Sequence, residues 1–168
     1  MSSPPDANAP VTLPIEDRGE LTTIRQQLLA DARYRLAIHL PSLPGDSYAS
    51  EDELAHLRRI ATSGRQAEIR ILLHDPAAAL RNSHRLIALA QRLPSTVLIR
   101  KPLEQQDLAC LSAWLLTDAG GYLLLPDAHR PQGHAAYCDR AAQAPLQRQF
   151  DDMWERSVRA SELQPLDL

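Results

Sequence analysis

The sequence predicts an α/β domain with a mixed sheet flanked by helices. Three short aliphatic runs, residues 34–40, 68–73 and 96–100, alternate with amphipathic stretches. That is the strand, helix, strand rhythm of a parallel sheet with right-handed crossovers. The turn Asp118-Ala119-Gly120-Gly121 separates two further runs, 111–117 and 122–125, as an antiparallel hairpin requires. Near the end, Leu146, Phe150, Met153, Trp154 and Val158 keep helical spacing.

Residues 1–18 are rich in Pro, Ser, Ala and Asp, with too little apolar surface to offset the entropy of ordering. A disordered tail is expected there, followed by a single domain over 19–160 and a loose tail over 161–168. Leu21, Ile24 and Leu28 form one apolar face of a helix over 20–31. The strand over 34–40 breaks at Pro41. Ser50 and Glu53 have capping-box spacing, and Leu54, Leu57 and Ile60 make the buried stripe of the helix they open. Gly64 supplies its stop. The near-continuous Ile69-Arg70-Ile71-Leu72-Leu73 suits a strand covered on both faces. One helix is expected over 76–93, with Leu86, Ile87, Ala90 and Leu93 inward and Pro94 ending it. Residues 134–138 read as an edge strand, and Pro145 fits the first turn of the closing helix.

Composition narrows the function. With 44% hydrophobic and 23% charged residues the chain is globular, and its 168 residues suffice for one core. A net charge of −3, with Lys101 the sole lysine, gives no pull toward nucleic acid or anionic membrane. No apolar run reaches membrane length and the start has no signal-like pattern, so a cytoplasmic location is expected. Cys110 and Cys138 read as free thiols. The six glycines make no phosphate-binding loop, and no Gly-x-Ser-x-Gly elbow occurs. Asp127, His129, His134 and Cys138 match no compact metal site, and neither metal nor cofactor is expected.

The candidate ligand-binding group is His74, Asp75, His84, Arg85 and Arg92. His74 and Asp75 end a central parallel strand, where ligands gather in open α/β sheets. Arg81, Arg85 and Arg92 recur at spacings of four and seven beside His84, and Arg70 or Arg100 can join from the strands. Guanidinium suits bidentate capture of phosphate or carboxylate. The competing reading makes Asp75 a helix cap, His84 a loop hydrogen-bonding residue and the arginines a solvated face.

Three segments carry a resemblance: Gly64-Arg65-Gln66-Ala67-Glu68-Ile69-Arg70-Ile71-Leu72-Leu73-His74-Asp75, His84-Arg85-Leu86-Ile87-Ala88-Leu89-Ala90-Gln91-Arg92-Leu93-Pro94-Ser95, and Phe150-Asp151-Asp152-Met153-Trp154-Glu155-Arg156-Ser157. Over residues 20–157 the chain resembles one half of a phospholipase D-like domain, and more closely a bacterial domain family of unknown function related to that fold. Phospholipase D catalysis uses a His-x-Lys-x-x-x-x-Asp motif, with His as nucleophile, a second His as general acid and Lys on the phosphate oxygens. With Asp118 in the Asp position, Leu111 and Ala113 stand where His and Lys belong. Neither can attack or neutralise a phosphoryl group, and Lys101 lies on another element. The resemblance thus implies a non-catalytic relative, with Asp118 a turn residue.

The expected function is a phospholipase D-like module that binds an anionic ligand or a protein partner. The alternative is a homodimeric structural or regulatory module, since such halves pair face to face. A third reading, a phosphodiesterase-type enzyme, would need an atypical site around His74, Asp75 and His84.

Overall fold

A computed structural model of the chain describes residues 10–164. Its strands are β1 (Leu13–Ile15), β2 (Arg35–Leu40), β3 (Glu68–Leu73), β4 (Val97–Lys101), β5 (Ala113–Thr117), β6 (Tyr122–Leu125), β7 (Gly133–Ala136) and β8 (Val158–Arg159). They form one sheet in the order β1, β7, β6, β5, β2, β3, β4, β8. β2, β3 and β4 run parallel, and the other pairings are antiparallel. The helices are α1 (Arg18–Asp31), α2 (Glu51–Ala61), α3 (Pro76–Arg81), α4 (Arg85–Arg92), α5 (Gln105–Leu108) and α6 (Arg140–Arg156).

Alternation along each strand divides the core in two. Leu36, Ile38, Ile69, Ile71 and Leu115 face one side, against Leu28 of α1, Leu57 of α2 and Leu86 of α4. Ala37, Leu72, Trp114, Leu116 and Tyr122 face the other, against Phe150, Met153 and Trp154 of α6. Burial on both faces explains why the central strands read as continuous aliphatic runs. The capping box forms as expected: Ser50 Oγ accepts from Glu53 N–H at 3.1 Å, and Glu53 Oε2 accepts from Ser50 N–H at 3.4 Å.

Several elements differ from expectation. Leu13–Ile15 lie in the residues expected to be a disordered tail, yet they pair with β7 and bury Ile15; residues 1–9 of that tail lie outside the described residues. β7 is therefore covered by β1 and is not an edge. At the other end, Ser161–Leu163 form a 3-10 turn with Leu163 buried, and 165–168 lie outside the described residues. The helix expected over 76–93 is two helices, because Ser83 adopts a left-handed φ of 52° and His84 caps a fresh start. α2 ends at Ala61, before Gly64, by a bond from Thr62 N–H to the Arg58 carbonyl. α6 starts five residues ahead of Pro145, since Asp139 accepts from Ala142 N–H and caps it there. The hairpin turn needs its glycines: Gly120 has φ 89°, and a Cβ at Gly121 would stand 2.6 Å from the Leu28 side chain.

Candidate functional site

The carboxyl ends of β2 and β3 bring two histidines together. His39, wholly buried on the α6 side, donates from Nδ1 to the Ser112 carbonyl at 2.7 Å, and its Nε2 lies 2.9 Å from His74 Nε2. A carbonyl only accepts, so Nδ1 of His39 carries the proton. The network then assigns the rest: neutral His39 accepts at Nε2 from His74 Nε2–H, and His74 Nδ1 is left as an acceptor. Burial first, and then the neighbouring His74, pull His39 down to about 4, against the opposing pull of the Ser112 carbonyl and Asp107. His74 is also lowered, by burial, with Asp107 opposing.

The surroundings are ordered. The Trp114 ring lies 4.7 Å from that of His39, and its Nε1 is buried without a hydrogen-bond partner among the described residues. Buried Asp107, on α5, takes two bonds from Arg156 of α6, at 3.0 and 2.8 Å. This is a neutral imidazole pair beside a clamped carboxylate. Chemically it can accept one proton at a time, and the two rings cannot both ionise at that separation without severe repulsion.

The five candidate residues fall in four places, although His84 and Arg85 also share the lining of an open cavity of ≈480 Å³. His74 joins His39. Asp75 caps α3, accepting from Ala78 N–H at 3.1 Å. His84 is buried and fully engaged: its Nδ1 accepts from Leu86 N–H at 3.1 Å, and its Nε2 donates to the Pro44 carbonyl at 3.0 Å. Arg85 and Arg92 line an open cavity of ≈470 Å³ together with Arg58 of α2, a residue that spacing along α4 does not bring to them. Arg81 is separated from this stripe by the break at Ser83, since the helical spacing does not run through it.

Arg70 and Arg100 do not reach His74. Both stack on Trp154, at 5.3 and 4.8 Å, and Arg70 pairs with Glu68. Asp118 is more than a turn residue. Its Oδ1 accepts from the backbone N–H groups of Arg33, Tyr34 and Arg35 at 2.9, 3.3 and 3.2 Å, pinning the chain as it enters β2. Ala113 faces the larger core, whereas Leu111 is 57% exposed. Asp127 accepts from His129 N–H, and His134 Nδ1 bonds the Tyr122 hydroxyl at 2.9 Å. Among the described residues both cysteines are free, and no helix is long and apolar enough to cross a membrane.

A family profile described as a domain of unknown function, DUF7931, matches residues 17–166. The chain belongs to the DUF7931 family. No curated protein sequence matches it. Among solved structures, this DUF7931 domain is similar to TrmBL2, an archaeal chromatin protein, with a TM-score of 0.64 at 12% identity, over 93% of this chain and 56% of that one. It is similar to a phospholipase D family member, Nuc from Salmonella typhimurium, with a TM-score of 0.62 at 7% identity, over 90% of this chain and 98% of that one. NucT from Helicobacter pylori gives 0.60 at 14% identity, over 90% of this chain and 98% of that one. The DUF7931 domain thus spans little more than half of TrmBL2 and nearly all of the other two. At these identities the likeness is one of fold: a phospholipase D-like α/β sheet.

Proposed function

We propose that this DUF7931 domain is a non-catalytic phospholipase D-like module that binds an anionic ligand on the face shared by α2 and α4. The observation that carries the reading is the convergence of Arg58, Arg85 and Arg92 on one open cavity, with Glu51 its sole acidic lining residue. Arg85 and Arg92 are two helical turns apart on α4 and so share a face, and planar guanidinium groups there offer several donors to an oxyanion. Three positions support the loss of phosphodiester chemistry. Leu111 and Ala113 stand where the resemblance puts His and Lys, and Asp118 is occupied by three backbone N–H groups. Inorganic phosphate should raise the melting temperature, and Arg85→Ala should remove the rise. An unchanged rise in that variant would refute the site.

A second reading, a homodimer, is favoured by Leu103, Leu108 and Leu111. All three lie in the connection from β4 to β5 and are 56%, 41% and 57% exposed. Exposed leucines grouped in one segment suit an interface.

A further inference from the structure

We infer that the cavity between the start of α1, the end of β2 and the connection from β6 to β7 binds a small carboxylate with an apolar body. It is distinct from the α2 and α4 cavity, and stands without it. Its volume is ≈220 Å³, below the range from about 300 Å³ typical of drug-sized ligands. Leu40, Ala113, Leu123 and Leu125 give it an apolar floor.

Arg25, in the wall, assigns the chemistry. It is 5% exposed, its Nε donates to Glu53 Oε1 at 2.6 Å, and its guanidinium lies 5.0 Å over the Tyr48 ring. Those contacts occupy one of the five N–H groups that a guanidinium carries. Nη1 and Nη2 donate to nothing among the described residues, yet neither is sealed, since the sealed and unpartnered side-chain atom among those residues is Trp114 Nε1, whose ring lies on the other face of the sheet. A guanidinium nine-tenths buried therefore turns its open fork to the cavity that it lines. The fork is held from both sides. Glu53 is fixed by the capping box, and Tyr48 holds a φ of 56°, a conformation that a non-glycine residue adopts at a cost.

Charge and shape select the class of ligand. Glu53 pairs with Arg25 and Asp127 with Arg130, while Arg18 and Asp46 add one charge of each sign to the lining. A monoanion matches one fork bidentately. The second charge of a phosphate would meet Glu53 and Asp46, and phosphate would leave the apolar floor uncovered. An acid about the size of benzoate fills both needs.

The test uses the full chain, titrated with benzoate and with its neutral analogue benzamide, read by amide chemical shifts and melting temperature. Benzoate should shift the amides of Tyr48 and Ala113 and raise the melting temperature, and benzamide should do neither. Arg25→Lys keeps the charge beside Glu53 but loses the fork, and should weaken benzoate by about tenfold or more. Ala113→Leu fills the floor and should abolish binding, which keeps the test decisive if Arg25→Lys fails to fold. No response to benzoate, equal response to benzamide, undiminished binding in both variants, or displacement of benzoate by inorganic phosphate would each overturn the proposal. Arg85→Ala should leave benzoate binding intact, which separates this site from the one on α2 and α4.

Discussion

Acidification from pH 7 to pH 5 perturbs His39 before it reaches most carboxylates. In the unfolded chain this imidazole takes its proton near 6.5, but in the folded domain only at about 4. Between those values the unfolded state binds more protons, so stability is fully present above 6.5 and falls as the pH drops toward 4. The whole gap corresponds to about 3 kcal/mol, of which about 2 kcal/mol is lost by pH 5. That is a large share of the roughly 5 to 15 kcal/mol of an ordinary domain. His74 acts with the same sign, being lowered by burial. Urea unfolding at a series of pH values measures this, provided that the slope m stays constant. His39→Asn keeps a donor for the Ser112 carbonyl but has no proton to take up. Its stability should be lower at pH 7 and flatter between pH 6.5 and 5, by about one proton's slope. Equal slopes in the two proteins, or a His39 titration near 6.5 by NMR, would refute the neutral pair.

Asp118→Ala removes the acceptor of three backbone N–H groups at the start of β2, and should cost about 1 to 3 kcal/mol, read as a lower urea midpoint; an unchanged midpoint would show that water replaces the carboxylate. For the homodimer, sedimentation should give a mass that rises with concentration, and Leu111→Lys should hold the protein monomeric. A wild-type monomer at every concentration would remove that reading.

The parallel core was legible because its side chains must be apolar on both faces, and residues 68–73 match β3 residue for residue. The hairpin was legible for a different reason, since Gly120 and Gly121 sit where the turn demands them. Junctions were less so. A helical stripe continues in the sequence across Ser83, and only the left-handed φ there, with His84 turned back as a cap, shows that two helices meet. β1 could not be read either, because three residues rich in neither charge nor period become a strand only when β7 offers them an open edge.

The site shows the same limit more sharply. His74 was visible because it follows the last aliphatic residue of its strand, but His39 lies inside a buried run and carries no mark of its partner. Parallel pairing supplies what spacing cannot. β2 and β3 run in register from Arg35 opposite Glu68 to Leu40 opposite Leu73, so the residue after β3 comes level with the end of β2. Both histidines then project to the α6 side, and 35 residues of sequence shrink to 2.9 Å. Arg25 was hidden for a related reason. Within α1 it reads as a polar neighbour of Ile24, and only the packing of α2 brings Glu53 beside it, making a surface-type residue into a buried donor with one of its five N–H groups engaged. His39 and Arg25 hold their unused chemistry where tertiary contacts bury them, and such residues are least distinguishable in the sequence from ordinary members of a helix or strand.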